Sequence, residues 1–187
     1  LNCGWPRKNN AAIKTSFSTK AKTLSELRGR LRSASVATVV FFTVDEWQKR
    51  QAWCSQKILS KLGDVPLIVR SSCLSEDGLD ASNAGSYESV LGVTPKDLPE
   101  AVERVIGSYV TPHKKDEILV QPMLKNVLRS GVAFSHDPNT CSPYRIINWS
   151  EGSDTAQITS GSGGKVWQQA AAGSKFSNSE CQPVIEL

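Results

Sequence analysis

Residues 69–93, VRSSCLSEDGLDASNAGSYESVLGV, decide how this chain is read. Pro66-Leu67-Ile68-Val69 has the apolar character of a buried strand, yet the strand leaves its core on Arg70 and two serines. Glu76-Asp77-Gly78 and the small-residue run Asn83-Ala84-Gly85-Ser86 follow, before apolar residues return at Tyr87, Val90, Leu91 and Val93. A strand that delivers an arginine to its C-terminal edge, ahead of hydroxyls and a glycine-bearing loop, suits a polyphosphate. A guanidinium is permanently charged and forks to two phosphate oxygens. Small residues around Gly85 let backbone amides approach further oxygens without a side chain in the way. The competing interpretation is a surface turn with Arg70 paired to Glu76 or Asp77, and composition alone favours that turn.

Outward from this stretch, helical and strand patterns alternate and then strands take over. Leu24, Leu27 and Leu31 are spaced for a helix over Thr23 to Leu31. Val36 to Phe42 is a β-branched, apolar run of strand length. Thr43-Val44-Asp45-Glu46 has the form of a capping box, with the threonine hydroxyl taking the third amide and Glu46 reaching back. The helix behind it buries Val44, Trp47, Cys54, Ile58 and Leu62 and stops at Gly63. Thr94-Pro95 predicts another helix start, with Leu98, Val102, Val105, Ile106 and Tyr109 on its apolar face. Strands are expected at Leu67 to Arg70, Ile118 to Gln121, Gly131 to Phe134 and Tyr144 to Trp149. Thr155 to Thr159, Lys165 to Gln168 and Pro183 to Leu187 have strand character too. This is an α+β chain with mixed or antiparallel sheets. It divides into an N-terminal lobe over 1–112 and a β-rich lobe over 113–187. The last strand-like run has no turn or cap after it, so the second lobe is expected to be incomplete, part of something longer.

The chain has 187 residues, enough for one domain or two small lobes, with a net charge of +4. Lysines and arginines are scattered among acids and no aromatic-basic stripe occurs, which argues against a nucleic-acid partner. No apolar run has the length of a membrane span, and no basic-then-apolar leader precedes the fold, although the chain begins at Leu1. Cys3, Cys54, Cys73, Cys141 and Cys181 are widely spaced and form no C-x-x-C pair. Free thiols in a reducing, cytoplasmic setting are expected of them.

Two superficially catalytic features dissolve on inspection. Gly161-Ser162-Gly163-Gly164-Lys165-Val166 imitates a phosphate loop, but Thr159 stands where its first glycine belongs and Val166 where its hydroxyl belongs. A hairpin connection is expected there instead. His113 and His136 have no cysteine or acid at ligand spacing, so neither makes a metal site. Ser135-His136-Asp137-Pro138-Asn139-Thr140 is turn chemistry.

Four ordered segments together resemble the nucleotide-binding domain of the phosphoenolpyruvate synthase and pyruvate phosphate dikinase family, an ATP-grasp fold. VRSS, the acidic pair and NAGSYESVLGV resemble that family's V-R-S-S and lid loop. ILVQPM, Ile118 to Met123, is similar to its V-V-V-Q-x-M strand. SGVAFSHDPNT, Ser130 to Thr140, is similar to S-G-V-x-F-T-x-D-P-x-T. Ser18 to Leu27 is similar to G-G-K-G-x-N-L-x-E-L, and Phe42 to Trp47 fits the strand-to-helix segment that follows.

The resemblance implies that Lys20 and Arg70 hold ATP phosphates and that the loop around Gly85 folds over them. It implies that Gln121 lines the adenine side, with the main chain of Pro122 and Met123 giving the purine its edge contacts. ATP and Mg²⁺ are the implied cofactors, and the implied partners are the phosphohistidine and acceptor domains of a longer chain. Ser18, Thr19 and Ala21 replace glycines around the early lysine, and Lys22 competes with Lys20 for its role. The family's acidic magnesium ligand and glutamine-arginine pair have no counterpart here. The expected function is therefore the ATP-binding part of a phosphotransferase that passes phosphoryl through a histidine to pyruvate, with little activity of its own. Alternatives are a related dikinase with a glucan, antibiotic or polysaccharide-precursor acceptor, and a non-catalytic module that keeps the fold.

Overall fold

The structure is a computed structural model, and it describes residues 19–31, 33–73, 87–153, 163–172 and 180–185. These fall into two units, one taking in 19–31 and 35–123, the other 33–34 and the described residues of 124–185.

The first unit is a four-stranded antiparallel sheet in the order β1-β4-β2-β3, with β1 Val40–Thr43, β2 Leu67–Ser72, β3 Ser89–Val93 and β4 Glu117–Pro122. Strand β4, expected at the start of the second lobe, is hydrogen-bonded between β1 and β2 and so belongs to the first unit. Its run of apolar side chains, buried on both faces, marks a central strand.

Alternation along these strands sorts the sheet into two faces. Val40, Phe42, Leu67, Val69, Ile118 and Val120 point to one of them and form the core with helices α2 (Val44–Leu62) and α3 (Leu98–Gly107). The capping box at the head of α2 is present, with the Thr43 amide donating to Glu46 at 2.8 Å and the Glu46 amide donating to the Thr43 hydroxyl at 3.1 Å. Behind it Trp47 stacks on Phe42 and donates its indole N–H to Glu103 of α3 at 2.7 Å. Helix α2 buries Val44, Trp47, Cys54 and Ile58, and ends at Gly63, whose φ of 77° is costly for any residue with a Cβ.

Helix α3 buries the expected face but begins at Leu98, not at Thr94. The Thr94 hydroxyl donates to Asp97 at 2.6 Å and the Asp97 amide donates back to the Thr94 carbonyl at 3.1 Å, which closes a turn ahead of the helix. Helix α1 spans Lys20–Leu27, a turn earlier than leucine spacing indicated, because Thr19 supplies its N-cap.

The second unit is an antiparallel sheet of β5 Arg129–Phe134, β6 Tyr144–Glu151 and β7 Lys165–Ala170. Ile147 and Trp149 form its small core with Cys181, Trp167 and Ile185. Of the C-terminal run expected as a strand, 183–185 lie instead in a short helix, α4, Gln182–Ile185, and 186–187 lie outside the described residues. There the amides of Val184 and Ile185 donate to the Cys181 carbonyl, a local pattern that Gln182-Pro183 favours over a ladder. The 137–142 turn is as expected, with the Asn139 amide donating to the Asp137 carboxylate at 2.8 Å. Cys54, Cys73 and Cys181 are buried free thiols, whereas Cys141 is disulfide-bonded, contrary to the expectation for all five. Burial, with Glu46 beside Cys54 and Glu180 beside Cys181, pushes both thiols above their ordinary range. The strand-like run at 155–159 and residues 161–162 of the glycine-rich connection lie outside the described residues.

Gly131 faces Trp149 across the β5–β6 ladder, where an added Cβ would come within 2.1 Å of the Asn148 carbonyl oxygen. Gly131→Ala is expected to cost roughly 1–3 kcal/mol through forced separation of the strands. A lowered midpoint in chemical denaturation checks this, and an unchanged midpoint contradicts it.

Candidate functional site

The other face of the first sheet carries the polar residues. The register pairs Ile68 with Gln121, Arg70 with Leu119 and Ser72 with Glu117, so Arg70, Ser72, Glu117, Leu119 and Gln121 all project to the side away from the α2–α3 core. Arg70 and Gln121 are diagonal neighbours, about 7–8 Å apart in such a register. Both are half-buried. A guanidinium and a carboxamide at this separation on one face bring two of the expected site residues together.

Lys20 arrives on α1, and the way α1 is fastened explains its place. The Ala21 amide donates to the Ser72 hydroxyl at 2.8 Å, two residues along β2 from Arg70 and on the same face. The Thr19 hydroxyl donates to the Glu117 carboxylate, and the Lys22 ammonium pairs with the other oxygen of that carboxylate at 2.8 Å. Glu117 is only 3% exposed, and the Tyr109 hydroxyl donates to its backbone carbonyl at 2.7 Å. A buried carboxylate needs such partners, and its position beside the first turn of α1 adds favourable helix-dipole charge.

Of the two early lysines, Lys22 is committed to Glu117. Glu117 itself was missed by sequence reasoning. The available signal was an acid leading directly into the apolar run Ile118-Leu119-Val120, a charge where a buried strand begins.

At the end of β4 the Met123 amide donates to the Pro66 carbonyl at 2.8 Å. Pro66 has no N–H, so the reciprocal ladder bond to the Met123 carbonyl cannot form. The main chain here offers an acceptor and no spare donor. Gly85 and the acids Glu76 and Asp77 lie outside the described residues.

Among the described residues no group of three or more His, Cys, Asp or Glu side chains could hold a metal ion. Mg²⁺ takes oxygen ligands, usually one or two carboxylates. Glu117, the carboxylate the sheet sets on this face, is occupied by Lys22 and Thr19. The described residues do not form a magnesium ligand set. No described helix is long and apolar enough to cross a membrane.

The family model for the pyruvate phosphate dikinase AMP/ATP-binding domain matches residues 14–116, more than half of the chain. The chain belongs to that family. The match takes in α1, β1, α2, β2, β3 and α3, and with them Lys20, Arg70 and Gly85. The protein thus carries the nucleotide-binding, AMP/ATP-binding part of a dikinase-like protein. A comparison with curated proteins finds no match.

Lys22→Met leaves the buried Glu117 carboxylate without its cation. Because the Lys22 side chain is itself 49% exposed, part of its attraction is already screened by water. A loss of about 1–2 kcal/mol is expected in urea unfolding, from the unpaired carboxylate. No change would show that Glu117 holds α1 without Lys22.

Proposed function

We propose that the chain supplies the ATP-binding part of a phosphotransferase like phosphoenolpyruvate synthase or pyruvate phosphate dikinase. In such an enzyme phosphoryl passes from ATP through a histidine to pyruvate. The observation that carries this reading is the sharing of one sheet face by Arg70 and Gln121, with α1, which carries Lys20, fastened to that face. A strand-borne guanidinium and a helix-borne ammonium can divide a triphosphate between them, the first by forked hydrogen bonds and the second as a point charge. Gln121 lies toward the adenine. The main chain at Pro122 and Met123 contributes purine edge contacts, with the Met123 carbonyl accepting from the exocyclic amino group. The loop around Gly85 completes the phosphate contacts.

A non-catalytic nucleotide-binding module is the second reading, and a specific observation favours it. The Ala21 and Lys22 amides, which flanking glycines would open to a phosphate, are already donated to Ser72 and Thr19. Both readings require nucleotide at Arg70. In calorimetry, Arg70→Ala is expected to weaken ATP binding about tenfold or more, the effect of removing a charge-assisted contact. Equal affinities for the variant and the wild type would remove Arg70 from the site.

A further inference from the structure

A cleft of about 400 Å³ lies at the free edge of β1, between α1 and α2, and belongs to none of the residues assigned to nucleotide. Its walls are Ser25 of α1 and the C-cap residue Arg28, the edge residues 39–43, Glu46, Lys57 and Lys61 of α2, and Glu117. We propose that this cleft is a second anion site, built for the phosphoryl group of a small molecule.

The charges support that assignment. Of the two acids in the wall, Glu117 is held by Lys22 and Thr19, while Glu46 accepts from the Thr43 amide at 2.8 Å and keeps its charge, one acid against three cations. The three cations have no ion-pair partner among the described residues. Arg28 donates to the Thr38 hydroxyl at 3.1 Å and Lys57 to the Phe41 carbonyl at 3.3 Å, both neutral partners. A guanidinium has five N–H donors and an ammonium three, so most remain available to a ligand. A phosphoryl group is the acceptor that uses several donors at once, with forked geometry at Arg28. The volume suits a small phosphorylated molecule.

An added peptide strand fits less well. The outward groups of the β1 edge at Phe41 and Thr43 are already taken by Lys57 and Glu46, which blunts the edge against pairing.

The test is calorimetric titration of the full chain with inorganic pyrophosphate and, separately, with glucose 6-phosphate. Proteins compared are the wild type, the double variant Arg28→Gln/Lys61→Gln and Arg70→Ala. Both substituted side chains of the double variant are exposed, and its thermal midpoint serves as the folding control. The expected result is binding of at least one probe that the double variant weakens about tenfold or more and Arg70→Ala leaves in place. Pyrophosphate alone binding would identify a free-anion site; the sugar phosphate binding would identify a metabolite site. The proposal is overturned if neither probe binds the wild type below about 10 mM, or if the double variant binds as the wild type does. Loss of binding in Arg70→Ala alone also overturns it, since the probe would then occupy the nucleotide face.

Discussion

The buried Glu117 carboxylate, clasped by the Thr19 hydroxyl and the Lys22 ammonium, is the constraint on which the polar face of the first sheet depends. It begins the central strand β4 at the point where that strand faces Ser72, and it anchors the first turn of α1 above both. A charge in this position has a high desolvation cost unless every lone pair finds a donor. The sequence meets that need with two side chains three residues apart on one helical turn. The consequence is positional. Fixing Thr19 and Lys22 fixes Lys20 between them, on the same side of the sheet as Arg70 and Gln121.

The division of labour between the two sheet faces follows from simple alternation. One face is apolar throughout and is covered by α2 and α3, whose packing includes the Phe42–Trp47 stack and the Trp47–Glu103 hydrogen bond. The opposite face carries an arginine, a glutamine, a serine and an acid. An isolated arginine in a strand admits many explanations. An arginine whose strand is central, whose diagonal neighbour is a carboxamide and whose sheet is closed on its other side is far more constrained, and it lies in a chain of the AMP/ATP-binding family.

Much of this was legible in the residues. The Thr43–Glu46 box, the α2 face ending at Gly63, and strands β2, β4, β5 and β6 follow from capping chemistry and periodicity, which act over a few residues. What was illegible depended on distant partners. Thr94-Pro95 has the form of a helix start, but the turn closed by Asp97 holds it outside the helix. Pro183 to Ile185 has strand composition but coils locally around the Cys181 carbonyl. The role of Glu117 required knowing that residues 98 positions apart in sequence meet at Thr19.

The central claim is that nucleotide occupies the polar face of the first sheet. Backbone amide chemical-shift mapping during ATP titration tests it most directly. Saturable shifts are expected at Lys20, Arg70, Leu119, Gln121 and Met123, with Ala101 and Val105 on the covered helix α3 largely unmoved. Saturable shifts confined to the α2–α3 side, with Arg70 and Gln121 unmoved, would contradict the account.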